Sequence, residues 1–285
     1  MSDGGVSGIA RPSVDDVLGV LALEKAADGT YTAPCVAAEG PVVFGGQMIA
    51  QAIVAATAES AGKRVTSISS NFARTGRSDT PVTLDVEKFH EGRSLASITV
   101  TVRQGDRRLA RSLVLLGAEE PDVIRHASSA PAVGAPDASP TKPAGLQGWE
   151  QRNVGDVDLF DPALTGPPEL QFWSRFATDR TERDIAQALL TWASVNMFIG
   201  TAMRPHEGVG LSRAHRDLST GVLSHTLYFH DDFTAGEWLL FSLRSSFGGG
   251  GRAFGVGEAF TESGRLVATA TQESMIRPMS GGSGL

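Results

Sequence analysis

Residues 44–58 read FGGQMIAQAIVAATA, apolar around most of a helical circumference, which predicts a helix buried on nearly every side. A period of two takes over afterwards. Val82, Leu84 and Val86 alternate with Thr83, Asp85 and Glu87, and Ala96, Ile98, Val100 and Val102 alternate with Ser97, Thr99, Thr101 and Arg103. Both runs predict strands with one wet face, and Gln104-Gly105-Asp106 predicts the turn into a further strand over 107–117. Periodicity then stops. Residues 121–147, PDVIRHASSAPAVGAPDASPTKPAGLQ, have the composition of a linker. So long a structureless stretch is uncommon inside one compact domain, which predicts two domains, 1–120 and 148–285, joined by the segment 121–147.

The order recurs after the linker. Thr181-Glu182-Arg183-Asp184 resembles a capping box and predicts a helix to about Met203, with Ile185, Leu189, Trp192, Asn196, Ile199 and Met203 on one stripe. Strands are predicted near 222–230, 237–247, 252–261 and 264–277. Local words also repeat: FHEGRSLASITV faces FGGGGRAFGVGEAF, QGDRRLARS faces ESGRLVATA, and one offset separates both Arg93 from Arg252 and Gly105 from Gly264. This is the signature of an internal duplication. A buried helix followed by an antiparallel meander, made twice, implies a sheet wrapped around each helix and two sheets meeting edge to edge. That is an α+β double hotdog arrangement.

Charge and composition narrow the chemistry. With 25 Lys+Arg against 32 Asp+Glu, the net charge of −7 argues against a broad nucleic-acid surface. The single cysteine, Cys35, excludes an internal disulfide and any multi-cysteine metal site. No H-E-x-x-H or comparable ligand spacing occurs, so no metal site is expected. The 33 glycines follow no G-x-y period, which leaves turns and close contacts to explain them. The polar start does not read as a signal peptide, Ser283-Gly284-Leu285 is not a peroxisomal S-K-L, and no run reaches the roughly 18–20 apolar residues of a spanning helix. A cytoplasmic protein without a membrane span is the expectation.

Several polar residues interrupt apolar patterns. Gln272 shares a strand face with Leu266, Ala268, Ala270, Ser274 and Ile276. A buried amide left unpaired costs about 1–3 kcal/mol, so Gln272 has a partner, either structural or a positioned water. His225 shares a face with Leu223, Leu227 and Phe229, as a core residue or a catalyst would. Residues 248–251 are four glycines without the spacing of a phosphate loop and predict a wide hairpin connection. Gly45-Gly46 open a helix, where backbone N–H groups and the helix dipole favour developing negative charge; helix packing would explain them equally.

Three passages resemble one family: VVFGGQMIAQAIVAA (42–56), SHTLYFHDDFTAGEWLLFSLRSSFGGGGRAF (224–254) and ESGRLVATATQESMIR (262–277). Together they are similar to the type II (TesB-like) acyl-CoA thioesterases. The resemblance implies a double hotdog subunit, a homo-oligomer, that hydrolyses fatty acyl-CoA to free acid and CoA without a metal or cofactor. In that family an Asp, a Thr or Ser and a Gln hold the attacking water. The Gln falls on Gln272, and the Thr falls on Thr220 if a short insertion follows near Gly221-Val222, or on Val222 without it. The Asp falls on Val195 in Ala193-Ser194-Val195-Asn196, which makes Asn196 the nearest polar candidate and removes the family's general base. The catalytic set implied is Gln272, Thr220 and Asn196. Substrate contacts are expected from Gly45, Gly46, Gln47, Ser219 and His225, and CoA phosphates would meet Arg74, Arg77 or Arg93. The loss of the base leaves an alternative, a non-catalytic acyl-CoA-binding member. A hotdog hydratase lacks its Gly-Asp-x-Asn-Pro-x-His context here, and a serine hydrolase its G-x-S-x-G elbow.

Overall fold

The computed structural model describes residues 11–36, 41–142, 145–155 and 157–279, with Asn196 described in its backbone alone. The first half contains α1 (Val14–Leu21), β1 (Glu24–Ala27), β2 (Thr30–Ala33), α2 (Gly45–Glu59), β3 (Arg64–Phe72), β4 (Val82–Glu91), β5 (Leu95–Gln104) and β6 (Arg107–Gly117). The second contains β7 (Thr141–Lys142), β8 (Trp149–Asn153), β9 (Glu169–Phe176), α3 (Arg183–Met203), β10 (Leu218–Phe229), β11 (Leu239–Gly249), β12 (Arg252–Thr261) and β13 (Leu266–Pro278).

Thirteen strands make one antiparallel sheet in the order β1-β2-β4-β5-β6-β3-β10-β13-β12-β11-β9-β8-β7. Outward from the β3–β10 seam the two sides read β3-β6-β5-β4-β2 and β10-β13-β12-β11-β9, the same order mirrored. The seam is centred on Ser69 opposite Thr226, whose hydroxyls lie 2.9 Å apart. The fold is a double hotdog, and the repeated words fall on equivalent strands and turns. The helices repeat too: Ile49-Ala50-Gln51-Ala52 of α2 matches Ile185-Ala186-Gln187-Ala188 of α3. Gln51 donates to the Val20 carbonyl at 3.0 Å and Gln187 to the Val65 carbonyl at 2.9 Å, so each amide ties its helix to another element.

Both long helices lie inside the sheet's curve. Ten of the fifteen residues of α2 are buried, including Ile49, Ile53 and Gln51. At 21 residues and a mean hydropathy of 1.2, α3 is long and apolar enough to cross a membrane, more than the sequence reading allowed. It is instead a core helix, 94% buried over its most apolar window. The predicted capping box at its start does not form. The carboxylate of Glu182 is taken by the Arg180 guanidinium and the Thr181 N–H, and α3 begins without a side-chain cap. A true capping box belongs to α1, where Ser13 and Asp16 exchange hydrogen bonds; that helix was not predicted.

The linker is more ordered than its composition suggests. It includes a 3₁₀ turn at Pro136–Ala138 and the short strand β7. Trp173, Leu240 and Phe260 form a small apolar cluster, and Ala130 and Val133 pack over it. The Trp173 indole N–H reaches the Gly134 carbonyl at 3.1 Å. Burying an aromatic outer face supplies the reason a Pro/Ala-rich segment takes a fixed path. The halves are also joined by charge: Arg183 meets Asp232 at 2.6 Å and Glu119 at 3.1 Å, with Arg64 within 3.9 Å of both carboxylates.

The four-glycine run makes a tight turn rather than a wide one. Strands β11 and β12 pair up to Gly249 and Arg252, leaving Gly250 and Gly251 as the turn, both at positive φ (61° and 76°). Two such residues suit a type I′ hairpin. Gly255 serves a different need, because Phe198 of α3 packs directly on it. A Cβ there would lie 2.8 Å from the Phe198 ring and 3.2 Å from the Arg244 carbonyl. Gly255→Ala is therefore expected to destabilise the fold by about 1–3 kcal/mol through overpacking, read as a lower urea midpoint at unchanged slope.

Candidate active site

Beneath α3, polar side chains interrupt an otherwise apolar interior. His225 of β10 and Gln272 of β13 are cross-strand partners, each 1% exposed. His225 Nδ1 lies 2.8 Å from Gln272 Oε1, and Gln272 Nε2 donates to Ser274 Oγ at 2.9 Å. Since Oε1 only accepts, Nδ1 carries the imidazole proton and Nε2 is left as an acceptor. Nε2 faces Ser194 Oγ of α3 at 3.3 Å, and that hydroxyl also lies 3.0 Å from the Thr191 carbonyl. The result is a buried line Ser194–His225–Gln272–Ser274. The Phe198 ring closes it edge-on, 5.8 Å from the imidazole. On the other side of His225 in the sheet lies Ser70, bonded to Ser112 at 2.7 Å.

The fold does not require this line. Rotation about the seam's centre carries His225 onto Ile68, and carries Gln272 onto Val114, the cross-strand partner of Ile68. Ile68 and Val114 are just as buried, at 0% and 1% exposure. One copy of the duplicated position is apolar and the other polar, so the His–Gln pair answers to something other than packing.

Burial pushes the His225 pKa down to about 4, partly opposed by its hydrogen bond to Gln272. The imidazole is therefore neutral at neutral pH, a weak base with one free lone pair.

The other predicted residues are distributed unevenly. Thr220 lies on the inner face opposite Ile276, four residues along β13 from Gln272 and thus about 13 Å away at the rise of a strand. Its hydroxyl has no partner among the described residues. Val222, opposite Ser274, lies between Thr220 and His225. The register shifts between Val222 and Ser224, so the extra residue in β10 is Leu223, just past where the family likeness required an insertion. Ser219 neighbours Thr220 and so turns to the opposite face, away from Gln272. Val195, on which the family likeness places the carboxylate, is 1% exposed. The side chain of Asn196 lies outside the described residues.

The entry of α2 faces this region. A Cβ on Gly45 would lie 2.7 Å from Val222 Cγ1 and 3.5 Å from the Phe72 ring, so only glycine lets the helix start approach β10 so closely. Phe44 meets Trp192 of α3 edge-on at 5.0 Å and offers no side-chain cap, leaving the N–H groups of Gly45 and Gly46 without partners among the described residues. Gln47 corrects the expectation of a substrate contact. Its Oε1 accepts from Val36 N–H at 3.0 Å and its Nε2 donates to the Pro34 carbonyl at 3.3 Å, so the amide fastens the preceding loop. Beside Ala193 a narrow apolar crevice runs between α3 and the sheet, lined by Phe176, Leu190, Ala193, Phe233 and Phe241. A wider, open surface groove between α1 and residues 177–180 contains none of these residues.

Ser194 and Ser274 were not singled out from the sequence. Ser274 sits two positions from Gln272 on one strand face, a signal available but unread. The contact between Ser194 and His225 joins residues 31 apart and depends on how α3 sits on the sheet.

Comparison with known proteins places these features in one class, the hotdog thioesterases. The family model for the acyl-CoA thioesterase C-terminal domain matches residues 127–276, and that for the N-terminal domain matches 33–117. The chain belongs to the acyl-CoA thioesterase family. It is 28% identical over 283 residues to acyl-CoA thioesterase 2 of Haemophilus influenzae, covering 93% of this chain and 98% of that one. It is 27% identical to acyl-coenzyme A thioesterase 8 of Rattus norvegicus, covering 82% and 80%. The crystal structure of acyl-CoA thioesterase II TesB2 from Mycobacterium marinum superposes with a TM-score of 0.79 at 25% identity, covering 93% of this chain and all of that one.

The buried imidazole has a consequence for stability. Unfolded, it takes up a proton near its ordinary pKa of about 6.5; folded, it does so only near 4. Between those values the unfolded state binds the extra proton, so stability falls as pH falls through the window and is unaffected by this group above it. Urea titrations from pH 7 to 4 are expected to lose on the order of 3 kcal/mol from this source. His225→Gln is expected to flatten that slope.

Proposed function

We propose that the chain is an acyl-CoA thioester hydrolase whose proton acceptor is His225, standing in for the carboxylate absent at Val195. The observation that carries this reading is the polar His225–Gln272 pair where the duplicated half holds Ile68 and Val114. In the reaction, water adds to the thioester carbonyl carbon, the C–S bond breaks, and the sulfur leaves with a proton as CoA. The carbonyl oxygen gains negative charge as water adds. The open N–H groups of Gly45 and Gly46 at the start of α2 suit that oxygen. The water's proton passes to Ser194 Oγ as the Ser194 proton moves to His225 Nε2, while Gln272 keeps Nδ1 protonated and the ring in place. Thr220, whose hydroxyl has no partner among the described residues, binds substrate rather than sharing one water with Gln272.

A base of pKa about 4 accepts a proton poorly, so this chemistry is slower than that of a member with its carboxylate. Restoring it by Val195→Asp is expected to raise kcat. His225→Ala and Gln272→Ala are each expected to lower kcat about a hundredfold on an acyl-CoA panel. Tight CoA binding without wild-type turnover would favour the non-catalytic alternative, and full activity of His225→Ala would overturn the assignment of the base. The family likeness supports a homo-oligomer working in the cytoplasm, and sedimentation of the purified protein tests the first of these.

A further inference from the structure

Many arginines of this acidic chain are held by carboxylates: Arg77 by Asp79, Arg103 by Asp85, Arg213 by Asp217, Arg252 by Glu273. Four near one end of the first half are not. Arg74 follows β3, and Arg107, Arg108 and Arg111 lie in the opening residues of β6; all four are exposed and, among the described residues, none has an ion-pair partner.

They are close together and held in place. The N–H groups of Ala73 and Arg74 both reach the Leu109 carbonyl, at 2.8 and 3.2 Å, and the Arg107 guanidinium reaches the Thr75 carbonyl at 3.5 Å. Arg111 Nε donates to Thr101 Oγ1 at 3.2 Å. Gln104 clamps the neighbouring loop, accepting from Arg77 N–H at 2.9 Å and donating to the Arg77 and Thr80 carbonyls. Asp106, at the hairpin turn, and Asp85, engaged by Arg103, leave this corner positive on a chain of net charge −7.

The corner adjoins the α2 entry. Val43 N–H donates to the Gly76 carbonyl at 3.0 Å, and Gly76 packs between Val43 and Leu109. Phe72, just before Arg74, packs on Gly45. The loop 73–80 thus has the cationic cluster at one side and the start of α2, at Gly45 and Gly46, at the other. Of the other arginines that the family likeness suggested for this role, Arg77 is committed to Asp79, and Arg93 lies in the β4–β5 turn at the opposite end of β5.

We propose that Arg74, Arg107, Arg108 and Arg111 form the subsite for the phosphate groups of the CoA nucleotide. This rests on the acyl-CoA reading above. Guanidinium groups bind phosphate through paired N–H donors, and four without ion-pair partners gathered around one loop and hairpin suit the diphosphate and the 3′-phosphate of that nucleotide. The pantetheine arm then bridges the loop to the helix entry.

The test is calorimetric titration of the full-length wild type and the variant Arg74→Gln/Arg107→Gln/Arg108→Gln with CoA, 3′-dephospho-CoA, pantetheine and inorganic phosphate. Arg244→Gln, an exposed arginine on distant β11, serves as control. The expected result is CoA bound at least tenfold more weakly by the triple variant, dephospho-CoA less affected, pantetheine unaffected, and the control like wild type. In parallel, kcat/KM should fall on octanoyl-CoA but not on octanoyl-pantetheine. Equal CoA binding by wild type and triple variant, or no CoA binding by wild type, would overturn the subsite. So would an equal loss with pantetheine, or inorganic phosphate binding as tightly as CoA. Arginine-dependent CoA binding without turnover would leave the subsite standing and sink the hydrolase reading, so the two failures are distinct.

Discussion

Two helices without a wet face cannot exist in water unless something covers them all round, and in this molecule a single sheet does so. A sheet wrapped around one helix ends in an edge strand whose N–H and C=O groups need partners. The duplicated halves meet both demands by joining β3 to β10, each supplying the missing neighbour of the other. The register of β10, the depth of α3 and the position of the α2 entry against Val222 all follow from that seam. The polar line of the site is built on it, since His225 is a seam residue on one side and faces Gln272 on the other.

The parts of the fold legible in the sequence are those with one strong period. The helix α2 shows as an apolar cylinder, β4 and β5 as alternations with one solvated face, and the two hairpins at Gly105 and Gly264 as repeated turns. What was missed has weak or contradictory patterns. Strand β9, ELQFWSRF, does not alternate because Trp173 is covered from outside while Phe172 faces the core. The linker's composition suggested disorder, yet two small side chains suffice to cover an aromatic cluster. The Glu182 carboxylate takes the Thr181 N–H that the expected cap of α3 needed, which no count of capping residues detects.

The site divides in the same way. Gln272 and His225 were visible as polar interruptions of apolar faces, but their partnership was not. It depends on a one-residue bulge at Leu223, a residue with no turn chemistry to announce it. The same bulge decides between Thr220 and Val222 as the neighbour of the Gln272 strand. The expectation that the family carboxylate is absent rests on one position, Val195. What could replace it was not legible, because Ser194 meets His225 only through the packing of α3.

The connecting segment has a consequence for assembly. It lies on the outside of the second half's sheet, over Trp173, Leu240 and Phe260, whereas the outside of the first half leaves Leu113 and Leu115 of β6 exposed. Duplication alone would give the two halves equivalent outer faces. With one face roofed by its own chain, the halves instead present different surfaces to any neighbour. The strap that looks like a passive tether thereby breaks an equivalence that the duplication created.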